Sequence, residues 1–575
     1  MISSGLLNPP RVDSAVSNLP ANLARAGRVL VSIRFWWSVC ILWAAIHAWV
    51  GRNSMNPDGL SYLDLATQSL QRGPLELVNG YWSPGYPAIL AVAFGLVRPS
   101  PEFEFPLIHF VNSLIFVATL ACFTFFVRSW LAADFDATGE GRNSNVHVVP
   151  FSFGLFLWVT TEFISLDSVS PDMLVAAMAF LAAGVCCRIS AGSRSWGEFA
   201  VLGAVLALGY YAKAAMLPLA LLLLGILFVR PIWPGRARLR IAVAGVVFVL
   251  VASPLVALLS MRKGGISVGE SGRLNYAWFV NGLAAQVGWL PDTDPSHGRP
   301  VHPPQELFDK PTVLAFPTPI DGTYPLWYDP SYWCAGAKVY FDLGQQIAAL
   351  KANWSVLYEM LHITVGLAMG VLMFLLATKR KAPVNTSGGR FAWLVLWSLG
   401  AFLIYLAVHL EPRYVGAFYV LFWLAVYARL SCRVKPGLAA LLMAVVLGTL
   451  FVPASIVLAA TTAQELRTRA DRPDDIVVAD ALRAAGVRPG DRLAVMGYSF
   501  NAYFARHARA RVVAQVMDPE SFWRLSQSDL AVLTQRLERI GVKAIVAHDR
   551  PGAAASPEWR SAGQNTNFLL LNPGK

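Results

Sequence analysis

A few polar residues of this chain stand where a membrane protein rarely places charge. Asp58 opens the stretch "PDGLSYLDLA", directly behind the first long apolar run, with Tyr62 four residues on and Asp64 beyond it. Asp172 lies in "SVSPDML" at the head of another apolar run. Lys213, in "GYYAKAAMLP", is the only charge between Glu198 and Arg230. Glu411, Arg413 and Tyr414 crowd into "HLEPRYVGAFY". A carboxylate can deprotonate or orient a hydroxyl or amine. A lysine and an arginine can hold a phosphate, the arginine through its planar fork. Carboxylates beside phosphate-binding cations suit cleavage of a phosphate ester by an acceptor nucleophile. Each residue also has a plain structural reading. Asp58 and Asp172 both follow a proline and could cap free N–H groups at a helix start. Lys213 could snorkel to the membrane surface. Glu411 and Arg413 could form a local ion pair, worth little if exposed.

The elements that position these residues are membrane helices. The chain has 575 residues, 55% of them hydrophobic and 14% charged, with a mean hydropathy of +0.49. Soluble domains carry about 25% charged residues. The net charge of +12 reads as the loop lysines and arginines of a membrane protein, not as a nucleic-acid footprint. The cysteines show no pairing framework, and no structural disulfide is expected. Residues 1–32 are polar and hold Arg11, Arg25 and Arg28, which predicts a cytoplasmic tail. The run at 33–50 is too long for a signal-peptide core and predicts a retained first membrane helix.

Further candidate spans lie near 86–98, 107–128, 147–163, 171–188, 197–211, 214–230, 239–261, 356–378, 390–408, 413–430 and 436–460. Basic residues concentrate at Arg188/Arg194, at 230–240, at 379–390 and at 429–435. All of these fall on the cytoplasmic side if 86–98 does not cross. That run is therefore expected as a short helix on the outer surface, leaving about eleven crossings. The N-terminus is then inside and the C-terminus outside. Outer loops span 51–106, 164–171 and 262–355. Asp58, Asp172, Lys213 and Arg413 all fall at outer helix ends, with Glu162 and Asp167 as weaker neighbours.

Leu60, Leu63 and Leu70 predict an amphipathic helix lying on the outer leaflet, with Tyr62 sharing a face with Asp58 and Asp64 solvated. The loop 262–355 contains "PLWYDPSYW" and is expected to fold over the membrane face. The tail from about 463 alternates helices with short Val/Ile-rich strands, which predicts a small parallel α/β domain outside the membrane. It lacks a phosphate-binding glycine motif, so no nucleotide site is assigned, and packing or partner contact is its plain role. No HExxH or paired CxxC appears. His297 and His302 read either as metal ligands or as solvated loop residues.

In order, the landmarks Asp58 with Tyr62 and Ala66, "YWSPGYPAILA", "SPDMLVAAMAFLA", "ALGYYAKAAMLP" and "EPRY" resemble the GT-C superfamily of polytopic glycosyltransferases. The resemblance covers roughly residues 33–430 and is nearest the bacterial enzymes similar to protein O-mannosyltransferases and to the aminoarabinose transferases that modify lipid A. It implies a GT-C-like membrane catalytic domain over 33–462, followed by the small domain at 463–575. It implies a sugar donor carried on a polyprenyl phosphate, an inverting transfer, and a bacterial inner-membrane location. The acceptor would be a lipid, a glycan or a protein. Asp58 takes the role of base or acceptor-orienting carboxylate. Asp172 supports it or binds a divalent metal if one is used, no cofactor being otherwise assigned. Lys213 and Arg413 would hold the donor phosphate with Tyr414 beside it, and Tyr62 and Glu411 would support the site. Protein O-mannosyltransferases commonly carry an acidic pair at the first-loop position, whereas here Gly59 follows Asp58. In the aminoarabinose enzymes a basic residue precedes the proline of the surface helix, whereas here Ser83 precedes Pro84. A lipid-linked glycan polymerase or ligase also fits the outer basic residues. A transporter or flippase fits less well, because such proteins bury charge near mid-membrane.

Overall fold

The computed structural model describes residue 29 and residues 32–138, 148–193, 195–229, 237–284, 295–316, 321–378, 391–468, 472–497, 499–548, 558–564 and 566–571. The expected cytoplasmic tail, apart from residues 29 and 32, lies outside the described residues, as do Arg194, Arg230, Arg236 and the basic connection 379–390.

The helices are α1 (Ile33–Val50), α2 (Pro57–Arg72), α3 (Gly85–Val97), α4 (Glu104–Thr138), α5 (Val148–Glu162), α6 (Asp172–Ser190), α7 (Trp196–Ala212), α8 (Met216–Val229), α9 (Ala237–Lys263), α10 (Ser271–Phe279), α11 (Leu343–Ile363), α12 (Val365–Ala377), α13 (Ala392–Leu406), α14 (Pro412–Ser431) and α15 (Pro436–Arg467). Among the described residues, α1, α4, α6, α9, α14 and α15 are each long and apolar enough to cross a membrane. The pair α11 and α12 passes jointly although it bends by 65° at its break. Helices α3, α5, α7, α8 and α13 are shorter and apolar. The protein is thus a multi-pass helical membrane protein. Its interior is aromatic: Phe123 stacks on Phe156 at 4.5 Å and meets Phe180 edge-on. Two buried indoles donate to carbonyls of neighbouring helices, Trp397 Nε1 to Leu219 O (2.9 Å) and Trp158 Nε1 to Leu450 O (3.1 Å). Such pairing removes the cost of a bare donor in an apolar interior.

Helix α3 packs close to the C-terminal end of α7. A Cβ on Gly85 would stand 2.8 Å from the Tyr211 carbonyl oxygen, so only glycine allows the approach. Helix α2 corrects an expectation. It is not a half-exposed amphipath, because Gly59 through Ala66 are all buried. Asp64, expected as solvated, is 4% exposed. It accepts hydrogen bonds from Thr323 N (2.7 Å), Thr323 Oγ1 (3.0 Å) and Arg506 Nη1 (2.9 Å). Burial pushes its carboxyl above the ordinary range, with Arg506 and Thr323 pulling the other way. Periodicity within α2 could not show this, since the covering groups come from the 262–355 loop and the C-terminal tail.

That tail forms α16 (Asp474–Ala484), α17 (Tyr503–His507) and α18 (Gln527–Arg539) against a sheet. The strands are β1 (Gln305–Phe308), β2 (Val313–Ala315), β3 (Arg492–Met496), β4 (Arg511–Val516), β5 (Val542–His548), β6 (Trp559–Ala562) and β7 (Thr566–Leu570). Their order is β1-β2-β4-β3-β5-β7-β6. Only β3 with β4 and β3 with β5 are parallel, so the expected parallel sheet is a mixed one. Nor does the tail build it alone. Strands β1 and β2 come from the 262–355 loop, and β2 pairs antiparallel with β4, Leu314 opposite Gln515. The loop thereby covers an edge of β4 that would otherwise offer unpaired backbone groups.

Candidate active site

Asp58 is the second residue of α2, behind Pro57 and the N-cap Asn56. Asn56 spends its side-chain oxygen on Val169 N (2.8 Å). The helix has no side-chain cap. The Asp58 carboxylate points instead toward distant residues. Its Oδ2 meets Arg413 Nη2 at 3.1 Å, and its Oδ1 accepts from Trp327 Nε1 at 3.2 Å. Asp172 begins α6 behind Pro171 and caps nothing either. Its Oδ1 takes the Lys213 ammonium at 2.5 Å, while Oδ2 is buried, has no hydrogen bond among the described residues and faces Arg413 Nε at 3.8 Å. The capping reading fails for both.

Lys213 sits in extended backbone between α7 and α8. Its ammonium lies 3.7 Å from the centre of the Tyr414 ring, a cation–π contact. Burial lowers its proton affinity, against the opposing pull of Asp172. Arg413, near the head of α14, ties the cluster together. Its Nε donates to Glu411 Oε2 (2.5 Å) and its Nη2 reaches both Asp58 and the Tyr414 hydroxyl (3.4 Å). Glu411 Oε1 accepts from Tyr414 (3.1 Å) and meets His409 Nε2 (3.1 Å). Burial works against Glu411 ionising, but His409 and Arg413 outweigh it and hold the carboxyl below its ordinary range. Tyr62 is buried edge-on between Trp82 (5.0 Å) and Tyr86 (5.2 Å). Burial, and then the nearby Asp58, raise its phenol well above the ordinary value.

The structure therefore brings Asp58, Asp172, Lys213, Glu411, Arg413 and Tyr414 into one cluster, with Tyr62 in its wall. Glu162 lies elsewhere, lining a separate cleft of about 250 Å³ with Glu359 and Pro412. A divalent metal does not fit this arrangement. Arg413 and Lys213 already occupy the space between the carboxylates, and among the described residues no group of His, Cys, Asp and Glu converges as a cation site. His297 and His302 each bond a local carbonyl, Asn281 O at 2.9 Å and Tyr332 O at 3.0 Å. The sequence reading missed Trp327, although the aromatic density of its loop was the available signal. It also missed Arg506, which nothing local marks.

Gly59 has a packing reason. A Cβ there would stand 2.8 Å from Val169 Cβ and 2.5 Å from Met55 Sδ. We expect Gly59→Asp, which would create an acidic pair, to destabilise the protein by about 1–3 kcal/mol through overpacking. Thermal unfolding of the purified variant checks this, and an unchanged melting temperature would count against the tight fit.

No protein-family model matches the chain, and no curated protein matches it significantly. Solved structures do. The Archaeoglobus fulgidus oligosaccharyltransferase in complex with zinc and sulfate aligns with a TM-score of 0.50 at 10% identity, over 89% of this chain and 68% of that chain. ArnT from Cupriavidus metallidurans bound to undecaprenyl phosphate aligns with a TM-score of 0.47 at 11% identity, over 92% of this chain and 97% of that one. At these identities the likeness speaks for architecture. The match to the archaeal oligosaccharyltransferase shows the fold alone, a GT-C-like helical membrane body with a small C-terminal sheet domain.

Proposed function

We propose that the protein is a membrane glycosyltransferase. It moves a sugar from a polyprenyl-phosphate donor to an acceptor lipid, glycan or protein at the outer face of a bacterial inner membrane. The observation that carries this reading is the cluster in which two helix-head carboxylates, Asp58 and Asp172, are held by Arg413 and Lys213.

In this reading Lys213 and Arg413 receive the donor phosphate. The acceptor oxygen or nitrogen attacks the anomeric carbon from the face opposite the phosphate, so the centre inverts. Its proton passes to Asp58, and the bond from the anomeric carbon to the phosphate oxygen breaks with its electron pair on that oxygen. The two cations stabilise the charge that develops there, an electrostatic term worth several kcal/mol. Asp172 keeps Lys213 charged and in place. Glu411 orients the Arg413 fork, and Tyr414 supports both cations with its ring.

The proposed topology has about eleven crossings: the six long helices, the bent pair, and α5, α7, α8 and α13, with α3 at the outer surface. Helix α3 packs beside the Lys213 turn, which supports that placement.

The test uses the full chain in nanodiscs, defined polyprenyl-phosphate monosaccharides, matching lipid-linked oligosaccharides, and a panel of lipid, glycan and peptide acceptors. Release of polyprenyl phosphate is measured. Turnover of a monosaccharide donor is expected, slowed about tenfold or more in Lys213→Met. Preference for the oligosaccharide donors would point to the polymerase or ligase reading. Release no faster than in Lys213→Met for every donor would sink the proposal.

A further inference from the structure

The loop segment Thr323–Trp327 is tied to α2 at both ends. At one end Thr323 gives its N–H and its hydroxyl to Asp64. At the other, Ser61 Oγ donates to the Trp327 carbonyl (2.8 Å), which also accepts from Trp82 Nε1 (3.0 Å). The Trp327 indole N–H then lands on Asp58 Oδ1. Asp58, Ser61 and Asp64 recur every third residue, so one side of α2 presents all three to this strap.

The C-terminal domain holds the strap from above. Val512 N donates to Thr323 O (2.9 Å), and the Tyr324 hydroxyl donates to Gln515 Oε1 (2.9 Å). The Phe500 ring packs edge-on to Trp327 (4.9 Å) and to Tyr324 (5.2 Å). Arg506 donates to Asp64 through Nη1 (2.9 Å), to Glu104 through Nε (2.8 Å) and to Thr67 through Nη2 (2.8 Å). The Trp327 indole also contacts Trp82 (5.6 Å), Trp278 (5.8 Å) and Tyr81 (5.9 Å).

We propose that the C-terminal domain is the positioning device for the Asp58 carboxylate. Through the Thr323–Trp327 strap it sets the Trp327 indole N–H on one carboxylate oxygen while Arg413 fixes the other. Phe500, Arg506 and Trp327 are positioning residues in this scheme. It rests on the reading of Asp58 as the base or acceptor-orienting group. The physical case is geometric. A carboxylate free to rotate offers its lone pairs in many directions, and a displacement of about 1 Å at a reacting group can cost about a hundredfold in rate. Two donors, one on each carboxylate oxygen, restrict the orientation of Asp58. The buried Arg506–Asp64–Glu104 ion pairs are weak as a source of stability, because their desolvation offsets the attraction. What they specify is where the domain sits on α2.

The experiment labels the full chain in nanodiscs with 5-fluorotryptophan and assigns the Trp327 ¹⁹F resonance by its loss in Trp327→Phe. The resonance is expected to move in Asp58→Asn, which reports the indole on the carboxylate. It should move or broaden in Phe500→Ala and in Arg506→Met, while Phe500→Tyr restores it. Phe500→Leu is the milder variant if Phe500→Ala fails to fold. Transfer by Trp327→Phe should fall about tenfold with binding of undecaprenyl phosphate unchanged. A Trp327 resonance unmoved in the Phe500 and Arg506 variants, or full turnover by Trp327→Phe, would overturn the proposal. Full turnover by Asp58→Asn would instead overturn the catalytic reading, and the resonance measurements would still decide the strap.

Discussion

Asp58→Asn is expected to express and melt like the parent protein yet to transfer sugar slower by about two orders of magnitude or more. The amide has nearly the shape of the carboxylate and keeps an oxygen for the Trp327 indole or for Arg413. The packing of α2 therefore survives. What is lost is a group that can take the acceptor's proton or draw its nucleophile into line. The measurement is single-turnover release of polyprenyl phosphate from the donor, which isolates chemistry from product release. A variant within a factor of three of the parent would remove Asp58 from the mechanism. An equally slow variant with a sharply lower melting temperature would point to a structural defect instead, so both quantities belong in the same experiment.

Arg413→Met should give the second largest effect, and through two channels. Arg413 lies within ion-pair distance of Asp58 (3.1 Å), Glu411 (2.5 Å) and Asp172 (3.8 Å). Removing it leaves three carboxylates facing one another with Lys213 as the nearby cation. Breaking such a pair from one side costs about 3–5 kcal/mol when fully buried. This site is partly open, so the lower end of that range applies. The second channel is the donor. A hydrogen-bonded charge on phosphate is worth about 1.5–3 kcal/mol, or roughly tenfold to a hundredfold in affinity. Arg413→Lys should recover most of the stability but little of the affinity, because an ammonium lacks the planar fork. Binding of undecaprenyl phosphate to the two variants, set beside their melting temperatures, separates the channels. Parent-like affinity in Arg413→Met would place the phosphate elsewhere.

Much of this molecule is written locally. Apolar length and the placement of lysines and arginines need no knowledge of distant residues, so the helical membrane body was legible from the chain. The polar residues at the helix ends were legible too. In an apolar sequence a charge such as Lys213 has nowhere unremarked to stand. The alternating helices and strands of the tail also follow from local periodicity.

What the chain could not show is which partner each charge takes. Asp58 and Asp172 carry the local signature of helix caps, and only the tertiary fold pairs Asp58 with Arg413, 355 residues on, and Asp172 with Lys213. Trp327 reaches Asp58 across 269 residues. Asp64 looked solvated because the residue that neutralises it, Arg506, lies 442 residues away on a different domain. Strands β1 and β2 are too short to announce themselves within an aromatic loop, and they become strands because the open edge of β4 pairs with β2, which pairs in turn with β1. Gly59 reads as a missing carboxylate until Val169 is seen pressed against its α-carbon. Hydropathy and charge along the chain determined that a set of polar groups would stand at the ends of apolar helices. Long-range contacts, which leave no periodic trace in sequence, decided that they meet as one cluster and that a sheet domain stands over it.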